Sequence, residues 1–122
     1  MSNVTLMQAI ARQEGFYVEP PAPSLARDRN NPGNMEDGKW AQAHGALPSD
    51  GNRFARWPTP EAGFEAMRHL LVYNYLGKTI TDVVHIWCPA SETSNNDEIY
   101  IEHVCEWTGL TPDAVLTSEM VG

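Results

Sequence analysis

The chain has 122 residues, 42% of them hydrophobic, and sets sixteen acidic side chains against eight basic ones for a formal charge of −8. That length suits one compact domain, 1–122, with a small core. The charge opposes attraction to nucleic acid and to anionic membranes, and no apolar run approaches the roughly 18 to 20 residues that span a bilayer. The first residues lack the basic start, apolar block and small-residue cleavage site of an export signal, so the sequence predicts cytoplasmic synthesis without stable membrane insertion.

In chain order, Thr5 and Gln8 have the form of a capping box, which predicts a first helix from about Thr5 to Gly15. Met7, Ile10, Ala11 and Glu14 follow i, i+3, i+4, i+7 spacing, so a carboxyl falls on the apolar stripe at the C-terminal end. Burial and the negative end of the helix dipole both push its pKa upward, which suits a proton donor. The alternative is a carboxylate that swings into solvent at a frayed helix end.

Pro20, Pro21 and Pro23 then predict an extended surface connection. Residues 24–57 hold most of the turn chemistry: NNPGN at 30–34, Asp37-Gly38 and Asp50-Gly51. The expectation there is two or three short strands in an irregular β-hairpin lobe. Asn31 and Asn34 supply amides suited to sugar hydroxyl and acetamido groups, although asparagines on such a turn also bond their own backbone. Trp40 and Trp57 fall in this lobe and are free to flank a groove. A sugar presents its C–H face to such a ring, but core packing is the commoner use.

Thr59-Pro60-Glu61 marks a second helix, with Thr59 as N-cap, running to Gly77 with Phe64, Met67, Leu70, Leu71 and Tyr75 inward. A third opens near Thr79 or Thr81 and stops before Pro89. A fourth spans about Asn96 to Gly109, and a short turn capped by Thr111 follows. Trp87 and Trp107 lie on helix stripes and read as core. The architecture expected is α+β and mainly helical, with an N-terminal helix, a small β-hairpin lobe and a C-terminal helical cluster.

His85, Cys88, His103 and Cys105 are zinc-type ligands at spacings that match no finger or ribbon, so no metal site and no cofactor are assigned. A Cys88–Cys105 disulfide fits better than a metal and would be worth roughly 3 kcal/mol in the chain-entropy model, but free thiols fit too. No nucleophile elbow or phosphate-cradling glycine loop occurs.

The order of features carries a resemblance. A helix ending in Glu14-Gly15, then RNNPGNM, FARWPTPEAGFEAMRHLL, GKTITDVVHIWCP and NNDEIYIEHVCEWTGL, resembles the phage-type lysozyme-like superfamily of lytic transglycosylases and muramidases across about Leu6 to Leu116. The resemblance implies a lysozyme-like fold and peptidoglycan glycan strands as partner. It implies that Glu14 is the catalytic acid at the cleft edge, that Asn31 and Asn34 contact the glycan, and that Tyr100 in YIEHV lies near the acid. The serine and glycine-leucine-methionine-glutamine block of soluble lytic transglycosylases are missing. So is the E-x8-D-x5-T pattern of many phage muramidases, since position 23 is Pro23.

No second carboxylate stands out among Asp28, Asp37 and Asp50, which favours a one-carboxyl transglycosylase mechanism over hydrolysis. The expectation is a peptidoglycan glycosidase cutting between N-acetylmuramic acid and N-acetylglucosamine. It would reach the wall by release, injection or secretion, with a phage or secretion-system partner. The alternatives are a lysozyme-like virion or secretion-system component that binds wall without cutting it, or a regulatory partner-binding module.

Overall fold

The computed structural model describes residues 3–87 and 96–122. Seven helices occur in that span: α1 (Leu6–Gln13), α2 (Leu25–Asp28), α3 (Lys39–Ala43), α4 (Pro60–Asn74), α5 (Ile80–Trp87), α6 (Asp97–Thr108) and α7 (Ser118–Val121). α1 packs along α6; α4 and α7 lie against α1, and α5 lies against α6. Leu6, Ile10, Met67, Leu71, Ile80, Val83, Val84, Val104 and Leu116 form the centre of the core.

The longer helices begin and end where local chemistry directs. The Thr5 hydroxyl accepts the Gln8 N–H at 3.2 Å, while the Gln8 side chain accepts the Thr5 N–H at 3.0 Å, closing the capping box. Thr59 caps α4 ahead of Pro60, Asn96 caps α6, and Gly109 ends α6 at a φ of 76°.

α1 closes in a Schellman motif. Phe16 N–H bonds Ala11 O at 2.9 Å and Gly15 N–H bonds Arg12 O at 3.2 Å, with Gly15 in the left-handed region at φ 88°. That fixes Glu14 as the C-cap residue, one position past the last helical turn.

The expected β-hairpin lobe is not there, and the α+β assignment is corrected to a helical fold. Among the described residues the only strand-like pairings are two isolated bridges, Glu36 with Phe54 and Thr79 with Val115. Residues 24–57 instead contain α2, capped by the Ser24 hydroxyl, and α3.

Two physical reasons account for the difference. Trp40-Ala41-Gln42-Ala43 contains good helix formers and no β-branched residue. Asn31, fully buried, takes over bonds that a ladder would make: its Nδ2 donates to Met35 O and Ala55 O, both at 2.9 Å, and its Oδ1 accepts from Met35 N–H at 2.8 Å.

α4 seals this loop from behind. A Cβ on Gly63 would stand 2.0 Å from Asn30 O and 2.9 Å from Pro32 Cδ, so only glycine permits this approach. The expected turn at Thr111 forms, but the chain then extends to pair Val115 with Thr79 before α7, an element the sequence reading did not foresee.

Candidate functional site

Glu14 is half-buried, and both of its carboxyl oxygens accept hydrogen bonds from distant parts of the chain. Asn34 Nδ2 donates to Oε1 at 3.0 Å, and Tyr100 Oη donates to Oε2 at 2.8 Å. Three elements thus converge on one carboxyl: the end of α1, the turn after α2, and the first half of α6.

Each element is locked. Asn34 sits in the left-handed region at φ 48°, which asparagine tolerates, on a turn whose Gly33 O accepts the Trp87 indole N–H at 3.1 Å. Tyr100 is 4% exposed and follows the Asn96 cap by one turn. Behind the acid, Ser24 Oγ donates to Gly15 O at 2.6 Å and ties α2 to the end of α1.

Hydrogen bonds donated to a carboxylate favour its ionised form, so this environment acts against the upward push of burial and the helix dipole. One atom offers the opposite possibility. Asn34 Oδ1 is buried and has no hydrogen-bond partner among the described residues. A half-turn of the amide exchanges Oδ1 with Nδ2 and presents an acceptor to a protonated Glu14, and the Tyr100 hydroxyl either donates or accepts. Asn34 and Tyr100, the two side chains that meet the carboxyl, thus each carry both donor and acceptor capacity.

The structure thus brings together Glu14, Asn34 and Tyr100 and sets the other two residues apart. Asn31 is fully buried and saturated by backbone groups, so its assignment as a glycan contact is corrected to a structural one. Trp57, expected to flank a groove, is 1% exposed. Its indole N–H donates to His44 O at 3.0 Å and its backbone N–H to Arg29 O at 2.9 Å, which anchors the loop into the core. Trp87 and Trp107 are partly buried against that core rather than within it.

The three aspartates considered as second carboxylates are all engaged elsewhere. Asp50 accepts from Arg29 at 2.6 Å, with Arg56 at 3.7 Å, and the Arg29 hydrogen bond chiefly lowers its pKa to about 2. Asp37 is lowered by hydrogen bonds from Ser49 and then Gln42, and Asp28 pairs with Arg27 at 2.8 Å.

Among the described residues no group of three or more His, Cys, Asp or Glu side chains is arranged to hold a metal. His85 Nδ1 meets Asp97 Oδ2 at 2.6 Å, and His103 Nδ1 meets Gln13 Oε1 at 2.8 Å. Cys105 carries a free, half-buried thiol whose pKa burial raises. Cys88, and with it the expected pairing, lies outside the described residues.

Sequence reading missed what surrounds the acid on the α1–α6 seam. Arg12 and Gln13 precede Glu14 directly, while Tyr100, His103 and Trp107 share a helix face at i, i+3, i+7 spacing. The sequence reading places Trp107 in the core, weighs His103 only as a zinc-type ligand and sets Tyr100 near the acid by resemblance, without joining the three into one face. No protein-family model matches this chain, and no curated protein matches it.

Proposed function

We propose that the chain is a peptidoglycan glycosidase in which Glu14 is the general acid and base, acting as a lytic transglycosylase on the bond between N-acetylmuramic acid and N-acetylglucosamine. The observation that carries this reading is the Tyr100 Oη to Glu14 Oε2 bond of 2.8 Å, which joins a helix-end carboxyl to a hydroxyl 86 residues away. The Asn34 contact completes the arrangement. A half-buried carboxyl oriented from two sides, with partners that tolerate either charge state, suits a group that must give up a proton and take one back.

In the proposed reaction the protonated Glu14 donates to the glycosidic oxygen as its bond to the muramyl C1 breaks. The resulting carboxylate then accepts the proton of that sugar's 6-hydroxyl, whose oxygen bonds C1 and closes an anhydro ring. The carboxyl ends as it began, and no second carboxylate is required. The engagement of Asp28, Asp37 and Asp50 with other side chains supports this route over a two-carboxylate one. Water in place of the 6-hydroxyl gives the muramidase outcome.

The kinship with phage-type lytic transglycosylases and muramidases belongs to the same proposal and rests on the quoted motifs. Delivery to the wall by a phage particle or a secretion machine is part of it. No helix among the described residues is long and apolar enough to cross a membrane.

A second reading is favoured by one specific feature: both Glu14 oxygens are satisfied within the chain, as they would be in a structural clamp of a wall-binding component. Turbidity clearing of isolated cell walls tests the two. Glu14→Gln should lower the rate by roughly 10²- to 10⁴-fold while the protein still binds sacculi. Equal rates for both proteins, or no clearing by either, overturn the enzymatic reading. Product mass then assigns the mechanism, since the anhydro product is lighter than the hydrolytic one by one water.

A further inference from the structure

Between them, α3 and α4 carry a row of four rings that the proposed reaction does not use. Trp40, expected to flank a groove, is half-buried and stacks on His44, the C-cap of α3, with centroids 4.2 Å apart and planes at 16°. His44 meets His69 of α4 at 4.6 Å, and His69 stacks on Tyr73 at 4.1 Å with planes at 28°. His44 and His69 are the one pair of imidazoles in contact among the described residues.

Stacking occupies the faces of the two imidazoles and leaves their edges, and the edges carry the nitrogens. His44 Nδ1 lies 2.7 Å from Trp40 O. A carbonyl only accepts, so Nδ1 holds the proton and Nε2 keeps its lone pair. Metal-binding imidazoles fix their tautomer with an outer hydrogen bond of this kind. His69 makes ring contacts but no hydrogen bond or ion pair among the described residues, so its nitrogens are uncommitted. Both side chains are half-buried, which leaves each partly open to solvent.

The two rings are tilted by 50°, which is not a parallel stack. Two imidazoles that bind one metal through nitrogens at about 2.0–2.1 Å, at a right angle or slightly wider, hold their centroids roughly 4.5 to 5 Å apart. The observed 4.6 Å lies in that range. We propose that His44 and His69 form a two-imidazole site for a borderline divalent cation of the zinc type, with water in its remaining positions, which ties the end of α3 to α4. Imidazole suits zinc, copper and nickel, whereas magnesium and calcium favour oxygen ligands. Glu65, one turn before His69, exposed and without an ion pair, adds negative charge to the same helix face. The site is independent of the glycosidase reading.

The test titrates the whole chain with Zn²⁺, and with Mg²⁺ as the control, by calorimetry and by the ring NMR signals of the histidines. The expected result is a Zn²⁺ site at which the His44 and His69 signals shift together, with a melting temperature that rises with Zn²⁺ and not with Mg²⁺. His69→Phe keeps a ring between His44 and Tyr73 but removes both nitrogens. It should weaken that binding at least about tenfold, the loss that even an outer hydrogen-bond partner of a metal ligand produces.

His44→Phe should give the same loss, and the joint change His85→Gln with His103→Gln should leave this binding intact. The NMR arm uses the unaltered chain, so it decides the matter should a ring variant unfold. Zn²⁺ binding that leaves the His44 and His69 signals in place overturns the site. So does an affinity unchanged in His69→Phe, or no binding beyond that of Mg²⁺.

Discussion

Two polar regions meet at Glu14, and they use their hydrogen bonds in different ways. In the turn at 29–35 the amides face the backbone: Asn30 donates to Trp57 O, and Asn31 serves Met35 and Ala55. Along the α1–α6 seam, side chains bond other side chains, Glu14 with Tyr100 and Gln13 with His103. A side chain saturated by buried backbone cannot be withdrawn without leaving that backbone unpaired. A side chain held by another side chain rearranges at lower cost, and its partner retains capacity for a ligand. The first region is scaffold and the second is where chemistry is affordable in energetic terms. Asn34 belongs to the turn by position and to the seam by contact.

Substitutions on the two sides sharpen this contrast. Gly63→Ala drives a Cβ into Asn30 O and should destabilise the protein by about 3 kcal/mol or more, measured by urea unfolding. Asn31→Ala leaves Met35 N–H and Ala55 O without the partner Asn31 supplies, while Met35 O keeps the Ala55 N–H, and should lose about 2–3 kcal/mol. A neutral effect at either position would break the scaffold assignment.

On the seam, Tyr100→Phe removes one donor to a carboxylate and should lose only about 1.5 kcal/mol of stability. Its wall-clearing rate should fall further than that loss explains, and the alkaline limb of activity should move to higher pH, because a donor that favours the ionised acid is gone. A large fall in stability with an unchanged pH profile would make Tyr100 scaffold instead.

The smallest effect is expected at Asp50. Its folded pKa, about 2, lies below its unfolded value of about 3.9, so its pairing with Arg29 stabilises fully above pH ~4 and the contribution is lost as pH falls toward 2. The difference in melting temperature between the parent and Asp50→Asn should therefore shrink across that window. A pH-independent difference would count against the pairing.

These contrasts also show which parts of the molecule were legible from residues alone. Helix ends were, because caps are local: Thr5, Thr59, Asn96 and Gly109 act within four residues of themselves. The loop at 24–57 was not. Whether a turn-rich segment becomes a hairpin depends on who satisfies its backbone, and Asn31 does so by reaching Ala55, 24 residues away. Trp57 was misjudged for the same reason, since its burial is decided by contacts with His44 and Arg29. Within the site, the position of Glu14 was readable from i, i+7 spacing. Its company was readable only in part: the resemblance, not the spacing, set Asn34 near a glycan and Tyr100 near the acid, and neither pointed to Arg12, Gln13, His103 or Trp107.

The 86-residue span between Glu14 and Tyr100 also bears on the order in which the protein is made. The carboxyl and its glycine-terminated helix leave the ribosome 86 residues before the phenol and form from neighbouring residues. A nascent or prematurely terminated chain possesses the acid without the hydroxyl that orients it. The orienting contact is thus set by long-range folding and not by the helix that carries the acid.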